Sequence, residues 1–344
     1  MPSRMNRIII AVAFSWIFAA CSEPDYQFEF LELNTPGTSS LRAICALDEN
    51  TLWVSGSQGQ VLLSLNGGIS WEPIAVPECE NTEFRSLHAW DAMSALVFDV
   101  SPEGRAFLTT DGGLTWKKVY RSPVKGAFFN SLKFANEMQG IAISDPIDDR
   151  IFILKTEDGG RSWTRLENTP ASLNGEINFA ASNTCIEYLS TGEIFIVTGG
   201  SRSRILSSMD HGKSWKFTET PAIWGESAGL FSVNFMNSKN GVAVGGDFNE
   251  PARKGVRAIY TEDGGEHWSP AASMPAEYRS GVVSLKNELL FAIGKSGCDY
   301  SSDRGRNWNY IDSTGYYAAS AVAGKNILFL CGSEGRVAKV IVRK

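Results

Sequence analysis

The amino-acid sequence predicts an all-β fold: one ring of seven four-stranded blades, a β-propeller, with six blades as the alternative. Three observations predict it. One eight-residue turn recurs six times along the 344 residues. The intervals between copies match the length of a four-stranded blade. The sequence between copies alternates in short apolar and polar runs broken by Gly, of which there are 33. Roughly a tenth of the chain is thus Gly against a usual ~7%.

The turns occupy residues 64–71, 109–116, 156–163, 208–215, 261–268 and 301–308. Each reads Ser/Thr, any residue, Asp or Asn, usually Gly-Gly, two variable residues and Trp. Asn66, Asp111, Asp158, Asp210, Asp263 and Asp303 can accept backbone N–H bonds inside a tight turn. The next residue supplies a positive φ, and His211 and Arg304 stand there in place of Gly. Trp71, Trp116, Trp163, Trp215, Trp268 and Trp308 then close the hairpin against a neighbouring blade. Successive Trp residues lie 45, 47, 52, 53 and 40 positions apart. One acid per turn cannot supply the six to eight oxygens that calcium takes, so these are structural clasps, and no metal site is expected.

In the third repeat, residues 130–134, 140–143, 150–154 and 162–166 read as strands one to four, with the clasp joining three and four. The same parse covers residues 41–74, 84–120, 175–218, 230–271 and 279–311. A last unit, 317–343, has neither clasp nor fourth strand. Residues 28–33 near the N-terminus are the expected missing strand, pairing with the last blade to close the ring and remove its edges.

Ahead of that strand, Arg4 and Arg7 precede an apolar run from Ile8 to Ala20, then Cys21. This is the pattern of a signal peptide over residues 1–20. Phe18-Ala19-Ala20-Cys21 resembles the bacterial lipobox, with Phe where Leu is commoner, and the resemblance implies that Cys21 is lipidated. Residues 21–27 then form a tether, 28–344 the single domain, and the only membrane attachment is the lipid. Ordinary cleavage near Ala20 is the alternative. Cys45, Cys79, Cys185, Cys298 and Cys331 show no metal-ligand spacing, and are read as core residues or at most one or two disulfides. The formal charge of −6, without a basic block, argues against a nucleic-acid surface.

The clasps resemble the Asp-box, or bacterial neuraminidase repeat. Over essentially the whole mature chain the sequence resembles the propellers grouped with the photosystem II stability and assembly factor family. Residues 225–229, 241–247, 278–281 and 296–300 are similar to a bacterial envelope branch whose members carry names such as oxidoreductase or sialidase-like. A structural repeat throughout the chain with no complete catalytic constellation predicts a monomeric, envelope-exposed protein that binds a protein or glycan without catalysis or cofactor; the resemblance implies that it aids assembly of a membrane complex, and a sialidase-like glycosidase is the alternative. A name shared with a fold is not a mechanism.

Propeller topology puts the clasps and the loops joining strands one and two on one rim. The loops joining strands two and three, and those between blades, lie on the opposite face. The longer insertions at 144–149, 198–204, 222–227 and 246–255 all fall on that second face, where a binding site is expected. Inner strands begin there with Arg42, Arg85 and Arg279 in positions read as equivalent, near the acids Asp145, Glu226 and Asp247. Arginine forks suit carboxylate, phosphate or sulfate. Two readings remain open: a charged pocket on the axis, or Arg and Asp side chains pairing across blades to plug it.

Sialidase chemistry needs an Arg trio, a Tyr nucleophile with a Glu, and an Asp acid/base. Arg42, Arg85, Arg279, Glu226, Asp145 and Tyr300 or Tyr317 supply the types, but the Arg-Ile-Pro signature is absent. A glycosidase needs only two acids, for which Asp145, Glu226 and Asp247 are the candidates. No Gly-x-Gly-x-x-Gly opens a helix after a strand, and two of the three His residues, His211 and His267, lie inside clasps.

Overall fold

The computed structural model describes residues 26–344, so residues 1–20, read above as a signal peptide, and Cys21 lie outside the described residues. Seven antiparallel sheets are arranged as the blades of a seven-bladed propeller. Blade 1 contains Leu41–Ala46, Leu52–Gly56, Val61–Ser64 and Glu72–Ile74, inner to outer. Blade 7 takes its three inner strands, Ala318–Ala321, Ile327–Cys331 and Val337–Arg343, from the C-terminus. Its fourth is Gln27–Leu33, in unbroken antiparallel register with Val337–Arg343. The predicted closure is therefore present. Phe28 and Phe30 pack on Phe291 of blade 6, because alternate residues of this strand face the neighbouring blade.

Two boundaries differ from the sequence reading. The inner strand of blade 4 begins at Ile186 and not near 175. Ahead of it, Glu176–Ile177 pairs with Gly199–Gly200 and so joins the sheet of blade 5. The supposed loop 144–149 continues the strand Gly140–Ile147, which turns back through Asp148 and Asp149 at φ 54° and 57°. Two consecutive acids in the left-handed region make a tight hairpin of what reads as an open insertion.

Each clasp is a closed hydrogen-bond unit. In the second, the Thr109 hydroxyl donates to Asp111 at 2.8 Å and accepts from the Gly113 N–H at 2.9 Å, while Thr115 N–H donates to Asp111 at 2.9 Å. The first residue after the acid points to the adjacent turn, where the His211 imidazole meets the Tyr188 hydroxyl and Arg304 pairs with Glu288. Side chains are therefore tolerated there at φ 61° and 63°. The next residue is Gly in all six because it abuts the preceding blade: a Cβ on Gly113 would lie 2.5 Å from Ile74.

These bonds shift the clasp acids. The Ser214 hydroxyl and then its N–H hold Asp210 down at about 2; at Asp263 burial works the other way, but His267 N–H and imidazole also bring it to about 2. Both lie below the ordinary 3.8. A folded value below the unfolded one contributes stability that is complete above about pH 4 and lost as pH falls toward about 2. The melting temperature should therefore drop across that window. The double variant Asp210→Asn, Asp263→Asn should flatten the drop, since Asn66 already fills this position in the first clasp. An unchanged pH profile in the variant would assign the acid sensitivity elsewhere.

Candidate functional site

The inner strands of blades 1, 2, 3 and 5 each carry a β-bulge, and the extra residue is Arg42, Arg85, Asn130 and Phe231 respectively. A bulge re-aims the side chain it releases from the ladder; Arg42, Arg85 and Phe231 line a cavity of about 380 Å³ on the face opposite the clasps. Backbone bonding to the preceding blade fixes the equivalences around the ring. Leu41 N–H donates to Gly332, Leu230 to Thr198, Arg279 to Gly245 and Tyr316 to Gly294. Arg279 is thus the counterpart of Leu41, one residue short of the bulge position, which Ser280 and Tyr317 occupy in blades 6 and 7, both lining the cavity. The sequence reading of Arg279 as a third mouth arginine is corrected: it is fully buried and paired with Asp299.

Arg42 and Arg85 are brought together by Glu83, whose two oxygens accept from them at 2.7 and 3.0 Å. The Arg42 guanidinium lies 4.5 Å over the Tyr317 ring, and Lys295 stands 5.3 Å from the Phe248 ring. Phe179, Phe231 and Tyr278 supply aromatic walls. One carboxylate against two guanidiniums and an ammonium leaves the basin basic, and cations seated on aromatic faces hold their charge with little loss of packing.

Its floor is backbone. Residues 178–184 cross the axis and bond to the inner strands of blades 2, 3, 5 and 6. Asn178 O accepts from Asn130 at 2.6 Å, Ala180 O from Arg85 at 3.2 Å, and the Ser182 hydroxyl donates to Ser280 O at 2.6 Å. Asn183, at φ 62°, bonds Leu132 N–H and Leu87 O, and the Thr184 hydroxyl meets Ser232. A pocket and a plug therefore coexist, and the plug is this strap and not a set of ion pairs. Beyond it, on the clasp side, a second cavity of about 290 Å³ holds the Lys133–Glu187 pair. Burial, with Lys133 nearby, drives the His88 imidazole there down to about 3.

None of the three candidate acids lines the basin. Asp145 is raised by burial, opposed by the Asn130 amide at 2.9 Å, the Asn178 N–H and the Arg85 charge. Asp247 is buried, yet Ser227, Arg253 and two backbone N–H groups hold it below its ordinary value. Glu226 is exposed. Sequence reasoning missed Glu83, Lys295 and the strap. The available signal for the strap is the run Asn178-Phe179-Ala180-Ala181-Ser182-Asn183-Thr184, small and amide residues around one Phe where the repeat predicts a strand. All five cysteines among the described residues are free thiols, four of them buried. Among the described residues no three His, Cys, Asp or Glu side chains converge to hold a metal.

A scan of protein-family models matches none to this chain, and a search of curated proteins likewise gives no match. Solved structures do match. YCF48 bound to a D1 peptide superposes with a TM-score of 0.68 at 18% identity, over 92% of this chain and 98% of that one. YCF48 from Cyanidioschyzon merolae gives 0.65 at 18%, over 91% and 98%. The WD40 propeller of Doa1 gives 0.64 at 11%, over 92% and 96%. A GH74 enzyme of Niastella koreensis gives 0.57 at 14%, over 88% of this chain but 43% of its own. At such identities the likeness shows the propeller fold.

Proposed function

We propose that this protein is a lipid-anchored, monomeric envelope propeller that binds an acidic or carboxylate-bearing segment of a protein partner in the axial basin, and serves assembly and not catalysis. The observation that carries this reading is the basin itself, basic, aromatic-walled and closed below by the strap. Two paired guanidiniums offer a wide donor surface to carboxylates, and the similar YCF48 structure holds a peptide. Hydrolysis would need two acids facing one substrate, whereas Asp145 and Asp247 are engaged with their own neighbours.

A photo-crosslinking residue at position 248, on the basin wall, should capture one envelope protein in intact cells. Arg42→Gln with Arg85→Gln, folded by circular dichroism, should reduce that adduct at least about tenfold, or ~1.4 kcal/mol. An adduct indifferent to the double variant would overturn the reading. So would hydrolysis of a sialoside or β-glucan that Asp247→Asn abolishes with the fold retained, which would favour the glycosidase alternative.

A further inference from the structure

The clasp rim is not uniform. On blades 1 to 3 its turn tips present Leu65, Ile69, Met93, Leu114 and Met138, all exposed, with Ile69 and Leu114 at 80% and 82%. At the clasp positions of Leu65 and Ile69, blade 3 carries Glu157 and Arg161, blade 4 Met209 and Lys213, blade 5 Glu262 and Glu266, and blade 6 Ser302 and Arg306, so blade 3 joins the apolar set only through Met138 of its one–two turn. These tips share one rim because each clasp bonds the adjoining one–two turn: Gly67 N–H donates to Asn50 O, Gly112 to Met93 and Gly159 to Met138.

The chain enters on the same rim. Gln27 pairs with Arg343, at the clasp end of blade 7's third strand, and Val342 N–H donates to Asn326 O as its clasp counterparts do. Blade 7 adjoins blade 1, where the apolar tips begin. From Cys21 to Tyr26 the chain can span at most about 18 Å.

We infer that the clasp rim of blades 1 to 3 rests on the lipid bilayer through these tips, so that the basic basin faces away from the membrane toward its partner. The inference rests on the lipid anchor in the proposed function. Two features favour lipid over a protein partner. The side chains project from four turns, Leu65 and Ile69 from one clasp and Met93, Leu114 and Met138 from one each, a spaced set suited to entering the headgroup–acyl boundary. Each tip's turn is also internally satisfied, as Thr115 N–H on Asp111, Gly113 N–H on Thr109 and Gly112 N–H on Met93 show, so shallow insertion strands few polar groups.

The test uses the full-length protein, made in a lipidating bacterial host, in phosphatidylethanolamine–phosphatidylglycerol vesicles containing doxyl-labelled lipid. Fluorophores are attached at Leu114→Cys and, on the opposite face, at Ala252→Cys; radiolabelled palmitate reports on Cys21. Quenching at 114 should exceed that at 252 at least threefold, and Ile69→Ser with Met93→Ser should diminish it while palmitate stays attached. Palmitate incorporated without differential quenching overturns the orientation alone. Absence of palmitate at Cys21 overturns the anchor and the orientation together. A disulfide-linked dimer through position 114, in place of quenching, assigns the tips to a second copy and overturns it as well.

Discussion

Deleting Gln27–Leu33 should leave a chain that no longer folds to a stable ring. The deletion strips seven register pairs from Val337–Arg343 and exposes that strand's full edge. It also removes Phe28 and Phe30 from Phe291, and Phe28 from Tyr300. At roughly 3 kcal/mol for each of these partly buried Phe rings, added to the stranded edge, the cost rivals the ~5–15 kcal/mol that stabilises a typical protein. The expected result is aggregated material without a cooperative thermal transition. Phe28→Ala should be milder, because its ring is only partly buried: about 3 kcal/mol in urea unfolding, with the parent's assembly state retained. A soluble deletion variant melting at the parent temperature would show that closure by the N-terminal strand contributes little.

Asp299→Ala should be the most destabilising single substitution near the site, at about 3–5 kcal/mol. Arg279 is fully buried and its charge is met by Asp299, while its Nη1 donates to Tyr278 O at 2.8 Å. Asp299 also accepts the Ala276 N–H at 3.0 Å. Burial raises the Asp299 carboxyl even with Arg279 beside it, and lowers the guanidinium of nearby Arg257. Removing the carboxylate leaves two buried guanidiniums without it, a cost that exceeds any lost packing. Urea midpoints should place Asp299→Ala well below the double variant Arg279→Met, Asp299→Leu, which leaves no unpaired partner of that ion pair. A loss under about 1 kcal/mol for Asp299→Ala would mean that water compensates the arginines.

Much of the propeller was legible because its determinants are local. A hydroxyl, an acid or Asn, a Gly and a Trp at fixed offsets make a clasp whose side-chain bonds to Asp or Asn and to Ser or Thr stay within eight residues, and six such units at blade spacing determine the blade repeat and its direction. The closing strand could be read because the last unit lacked a fourth member, and an unpaired edge demands one. The same topology sorted loops onto two faces and placed Arg42 and Arg85 at one of them.

Which residues meet at the axis was decided only by the tertiary structure. Side chains alternate along a strand, so the one-residue slip at each bulge exchanges cavity and interblade positions. Arg279, the blade 6 counterpart of Leu41 just ahead of the blade 1 slip, is buried beside Asp299, and Ser280 lines the cavity in its stead. The strap at 178–184 left no periodic mark, since its order comes from bonds to Leu87, Leu132, Ser232 and Ser280 on four other blades. Asp145 and Asp247 found local partners for a related reason: a carboxylate removed from water takes the nearest N–H or guanidinium, and only the folded chain determines which of these is near.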